Sequence, residues 1–168
     1  AGEVPWHGLG KKVPADLSPE QMLKTANLDW EVESRPLFYQ TASGKTMQTK
    51  KRAIVRATDD KLMTVVSHEW HPVQNLQAFK FFDDFVKAGS MQMHTAGSLK
   101  GGKLVWAMAK INESFEIFGG DKIDGYLLFS NPHEFGRSID VRFTPIRVVC
   151  NNTLTFALDS ESASSVKV

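Results

Sequence analysis

The chain has 168 residues, 42% of them hydrophobic and 23% charged, with a formal net charge of +1 and a single cysteine, Cys150. Such a chain suits one globular domain burying roughly 70% of its unfolded surface, which argues against a disordered protein. One cysteine excludes an internal disulfide or a multi-cysteine zinc site, and the apolar runs fall far short of a membrane span.

The first segment, PWHGLG (5–10), concentrates Trp, His and two Gly in six residues. Pro5 restricts the chain while Gly8 and Gly10 allow close backbone approach, so residues 1–15 are expected to anchor on apolar surface through Trp6. The opening residues have no apolar signal core and the chain has one cysteine, which points to a reducing, cytoplasmic setting without a membrane. LSPEQMLKTANL then opens a helix, with Ser18 as N-cap, Pro19 at the first position and Gln21 completing a capping box. Residues 29–42, 46–58 and 61–70 alternate as strands around turns at Ser43-Gly44 and Asp59-Asp60, an antiparallel meander.

Residues 73–89 give the clearest helix, with Leu76, Phe79, Phe82, Phe85 and Val86 at helical spacing and Gly89 as its stop. These Phe are expected in the core. Strands follow at 90–99, 103–111, 121–131 and 138–149, then a short helix at 151–159 and a polar tail at 159–168. In 103–111, alternation puts Val105, Ala107 and Ala109 on one face and Trp106 and Met108 on the other. The expected fold class is α+β: one domain, 1–168, with a largely antiparallel sheet of about six strands against one main helix.

No catalytic signature stands out. His68 and His71 flank Glu69, but Pro72 and the preceding Val-rich strand argue against the helix that a metal pair at this spacing needs. AGSLKGGK (96–103) lacks the Walker order and is followed by a strand, so it reads as a hairpin turn. Cys150 has no neighbouring His in sequence and reads as a small buried group. No cofactor or metal is expected. Charge placement says more. Residues 45–56 carry five basic side chains and no acid, and residues 136–147 carry three Arg against one Asp.

PWHGLGKKV, LDWEVE, VVSHEWHPVQN, TAGSLKGGKLVWAMAKI, DGYLLFSN and TPIRVVCNNTL, in that order, resemble the phage/plasmid-like proteins grouped as domain of unknown function number 932. The resemblance runs from Pro5 to about Leu158 and implies a mobile-element origin, in a bacterial host cell. Relatives tend to carry a shorter turn than NPHEFGRSIDVRF and to continue into a further helical segment, which suggests a fragment or a short member. A second likeness, of architecture only, is to phage single-strand annealing proteins, which assemble as rings or filaments along DNA.

The resulting expectation is sequence-independent binding of single-stranded DNA, with a role in annealing during recombination, by a homo-oligomer. Lys50, Arg52, Arg56, Lys100, Lys103, Arg137, Arg142 and Arg147 are the expected phosphate contacts, with Trp70 and Trp106 stacking on bases. Lys45 and Lys51 join the same basic strand but point to its other face. The alternatives are an enzyme acting on nucleic acid or nucleotides, and a structural or counter-defence protein that binds no nucleic acid.

Overall fold

The computed structural model describes residues 10–116, 122–144 and 166–167, with side chains described over 10–112 and 125–144. Trp6, His7, Arg147, Cys150 and the expected helix at 151–159 lie outside these residues, as does most of the expected tail.

Helix α1 (Pro19–Thr25) forms where the capping box predicts it. Ser18 Oγ accepts from the Gln21 N–H at 3.3 Å, and Gln21 Oε1 accepts from the Ser18 N–H at 2.9 Å. Helix α2 (Asn75–Ala88) ends at Gly89, whose N–H returns to the Phe85 carbonyl at 3.0 Å. Both helices lie on one face of a large antiparallel sheet ordered β1–β5–β6–β7–β8–β9. Its strands are β1 (Lys11–Lys12), β5 (Gln92–Leu99), β6 (Leu104–Glu116), β7 (Lys122–Pro132), β8 (Asp140–Thr144) and β9 (Val166–Lys167).

The main core joins Met22, Leu23, Phe79, Phe82 and Val86 of the helices to Val105, Ala107, Phe129 and Val141 of the sheet. Phe82 stacks on Phe129 with ring centroids 5.0 Å apart, and Phe79 meets the same ring edge-on at 5.9 Å. Phe85 is half-buried and packs on Phe81. The opposite face of the sheet is buried as well, through Leu104, Trp106, Met108, Tyr126 and Leu128. Gly10 sits against this second cluster. A Cβ there would lie 2.6 Å from the Trp106 ring and 2.7 Å from the Ala96 carbonyl, so only glycine allows the approach.

The meander β2 (Val32–Gln40), β3 (Thr46–Arg56) and β4 (Leu62–Ser67) forms a separate three-stranded sheet. The expected single sheet is therefore two. Alternation marks strands but carries no record of partners, and α2 intervenes between β4 and β5. All pairings are antiparallel, so the α+β class stands.

Candidate nucleic-acid interface

In β3, residues 53–55 are buried and residues 46–51 are exposed or half-exposed. The β2–β3 hairpin therefore leaves the body as an arm once its root has packed. Phe38 lies opposite Gln48, and Tyr39 opposite Met47, so the neighbours Phe38 and Tyr39 occupy different faces. Both are 54% exposed, which means neither face of the arm is covered. Pairing continues to Gln40↔Thr46, and Gly44 closes the turn at φ +86°. The Thr41 hydroxyl accepts from the Lys45 N–H at 3.1 Å. A bulge lies between Pro36 and Phe38, on the edge strand where proline disturbs no ladder on its open side.

Residues 34–58 contain six basic side chains and no acid. Lys45, Lys50 and Lys51 are exposed on the arm. Arg52 is half-buried and tied across the hairpin, with Nε donating to Ser34 Oγ at 2.8 Å and Nη2 to the Ser34 carbonyl at 3.0 Å. Arg35 pairs with Glu33 at 2.7 Å.

Several other expected contacts sit in different roles. Arg56 is a brace: it binds Asp59 at 2.5 Å, donates to the Gly101 carbonyl at 3.2 Å and lies 5.3 Å from the centre of the Trp30 ring. The Arg56 hydrogen bonds hold the Asp59 carboxyl down to about 2, and Asp59 in turn raises the Arg56 pKa. Arg142 is buried against Asp140 at 2.5 Å, so it faces no external phosphate. Trp106 is 0% exposed and cannot stack on a base. The run LVWAMA, apolar at every position, was the signal that this strand is covered on both sides. Trp70 is half-buried against the small-sheet core.

Lys100 is exposed and 3.8 Å from Glu134, Lys103 is half-buried, and Arg137 is exposed on the loop after β7. Lys61 approaches this group, donating to the Gly101 carbonyl at 3.1 Å. Glu134, Asp59 and Asp60 dilute the charge here, so the arm is the more purely basic surface. The expected patch thus divides. Lys50 and Arg52 stand on the arm, Lys100 and Lys103 at the β5–β6 turn and Arg137 on the loop after β7, and Arg56, Arg142 and Trp106 are structural. Arg147 lies outside the described residues.

A buried polar junction sets the arm on the body. Gln74, at the start of α2, pairs with both backbone groups of Val32, accepting from its N–H at 3.0 Å and donating to its carbonyl at 2.8 Å. Asn75 donates to the Leu28 carbonyl at 3.0 Å, which commits its Oδ1 to accepting. That oxygen receives His133 Nε2 at 2.8 Å and Asn131 Nδ2 at 3.4 Å. His133 therefore carries its proton on Nε2 and is neutral. Burial depresses its pKa to about 4, and Nδ1 has no hydrogen-bond partner among the described residues. Its ring lies 5.4 Å from Trp30, on which Arg56 also rests. Gly102 completes the joint at φ +100°, where a Cβ would come within 2.9 Å of Arg56 and 3.1 Å of Trp30.

Residues 62–168 match the family described as "Domain of unknown function (DUF932)". The chain belongs to this family. No curated protein and no solved structure is detectably similar to the chain. The DUF932 match begins at β4 rather than at Pro5, and takes in α2 and β5 to β9. The arm precedes the matched range. Among the described residues no helix is long and apolar enough to cross a membrane, and no three or more His, Cys, Asp or Glu converge on a metal position.

Sequence reasoning missed the arm's aromatics and the junction. The pair Phe38-Tyr39 was the available signal for the first, because adjacent large apolar residues in a strand must face opposite ways. Nothing in sequence spacing brings Asn75, Asn131 and His133 together.

Proposed function

We propose that this protein binds single-stranded nucleic acid, DNA in the first instance, without reading its sequence. Lys45, Lys50 and Lys51 of the β2–β3 arm contact phosphates while Phe38 stacks on a base. The observation that supports this reading is a hairpin with exposed lysines, an uncovered aromatic and no acid from residue 34 to 58. Stacking is sequence-tolerant because every base has a π face, and contributes about 1–3 kcal/mol per base. Three phosphate contacts to a single strand correspond to a log–log salt slope of about −2. Lys100, Lys103 and Arg137 add weaker basic contacts to the same strand. A role in annealing during phage or plasmid recombination extends this proposal, resting on the resemblance to mobile-element proteins.

Fluorescence anisotropy with a labelled oligonucleotide across a salt series is the test. Substituting Lys45, Lys50 and Lys51 together by Ala should weaken binding and flatten the salt slope. Phe38→Ala should weaken binding and leave the slope unchanged. Undetectable binding at low salt, or equal binding by the triple variant, overturns the assignment.

A further inference from the structure

An open cavity of about 140 Å³ lies between α1, the start of α2 and the segment leading into β2, at the root of the arm. Leu23, Trp30 and Leu76 give it an apolar lining, and Glu20, Asp29 and Glu31 supply carboxylates around it. Lys80 offsets Glu20 at 3.4 Å, which leaves Asp29 and Glu31 as the net charge. A cavity of about 150 Å³ accommodates a benzene ring, so this one has the size of an aromatic side chain.

The arm carries the complement of that cavity. Tyr39, 54% exposed, stands beside Met47 on one face, and Lys45 follows in the adjoining turn. A Tyr ring in the cavity would bury its apolar body on Leu23, Trp30 and Leu76 while its hydroxyl donates to a carboxylate. Lys45 would then meet Glu31. The arm cannot do this to its own chain. Tyr39 lies seven residues beyond Val32 on a paired strand, about 23 Å from the root at ~3.3 Å per residue.

We infer that a second copy of this chain supplies the occupant: the arm of one molecule docks by Tyr39 in the Trp30 cavity of the next. Arm and cavity are different surfaces, so the contact is head-to-tail and propagates to a ring or a filament. Tyr39 and Phe38 face opposite ways, so a docked arm keeps Phe38 uncovered. The inference does not depend on nucleic-acid binding: in an assembled chain Lys45 is committed to the neighbouring cavity, and Lys50, on the Phe38 face, stays open to phosphates.

Sedimentation velocity of nuclease-treated protein, over a concentration range reaching several hundred micromolar, tests it. Wild type should form species larger than dimers. The Tyr39→Ala, Met47→Ala double variant and the single variants Glu31→Lys and Lys45→Glu should each weaken assembly roughly tenfold or more. Glu31→Lys with Lys45→Glu in one chain should regain assembly, because the ion pair returns reversed. An equimolar mixture of Glu31→Lys with the Tyr39/Met47 variant should stop at dimers, since only one intact arm and one intact cavity meet. A monomeric wild type at every concentration, or a Tyr39/Met47 variant that assembles like wild type, overturns the inference. Circular dichroism of each variant should match wild type, since Tyr39, Met47, Lys45 and Glu31 are all exposed. Failure of charge reversal to restore assembly overturns the pairing of these two surfaces.

Discussion

β6 and β3 are both long antiparallel strands, of 13 and 11 residues, yet they meet opposite environments. β6 runs through the middle of the large sheet, with Val105, Ala107 and Ala109 under the helices and Trp106 and Met108 buried on the reverse face. β3 is the middle strand of the small sheet but is buried only at its root, beyond which the hairpin carries Phe38 and Tyr39 uncovered on opposite faces. Burial on both sides makes β6 a source of stability. Exposure on both sides leaves the β2–β3 tip as a surface that folding does not require. Central placement within a sheet therefore predicts burial only when other layers cover that sheet.

The contrast breaks most visibly at Phe82, which is 0% exposed between α2 and Phe129. Phe82→Ala should cost about 3–5 kcal/mol by removing apolar contacts and leaving a cavity. Urea unfolding measures this directly. A loss below about 1 kcal/mol would mean that the helix layer does not rest on the sheet as described.

The polar junction should produce the next largest effect, and a pH dependence. His133 folds with a pKa near 4 against an ordinary value of 6.5, because burial disfavours its charged form. A depressed histidine is fully stabilising above pH 6.5, and that stability is lost progressively as pH falls toward 4, by roughly 3 kcal/mol in all. Urea midpoints of wild type should fall across this window, and His133→Gln should flatten that part of the profile. Asn75→Ala should cost about 2–3 kcal/mol, because His133 Nε2 and the Leu28 carbonyl then lose a buried partner.

A smaller and more local effect is expected at Arg56, whose side chain is 19% exposed and bridges Asp59, Gly101 and Trp30. Arg56→Ala should cost about 1–2 kcal/mol, and Arg56→Lys should not restore it, because an ammonium cannot reproduce the planar fork. Amide exchange should quicken in β2 to β4 more than in β5 to β8. Uniform quickening would show that the two sheets unfold together and blur the comparison. At the arm, Tyr39→Ala should change global stability by no more than about 0.5 kcal/mol, as expected of an exposed side chain.

Much of the fold was legible before any coordinates. Ser18, Pro19 and Gln21 marked the start of α1, the Phe spacing marked α2, and Ser43-Gly44 and Asp59-Asp60 marked the turns of the meander. These features were readable because each depends on residues within one helical turn or one strand repeat. The site was less legible. Five basic residues at 45–56 located the arm, but the same count included Arg56, which the structure uses as a brace.

Local chemistry thus determined where the helices cap, where the strands turn and which helix face is apolar. Tertiary structure decided that the meander stands apart from the main sheet and that Trp106 lies in a core while Phe38 and Tyr39 do not. It also decided that Asn75 meets His133 across 58 residues of chain. The physical reason is range. Capping, alternation and turn chemistry act between near neighbours in sequence, whereas burial and pairing depend on which layer happens to cover a surface.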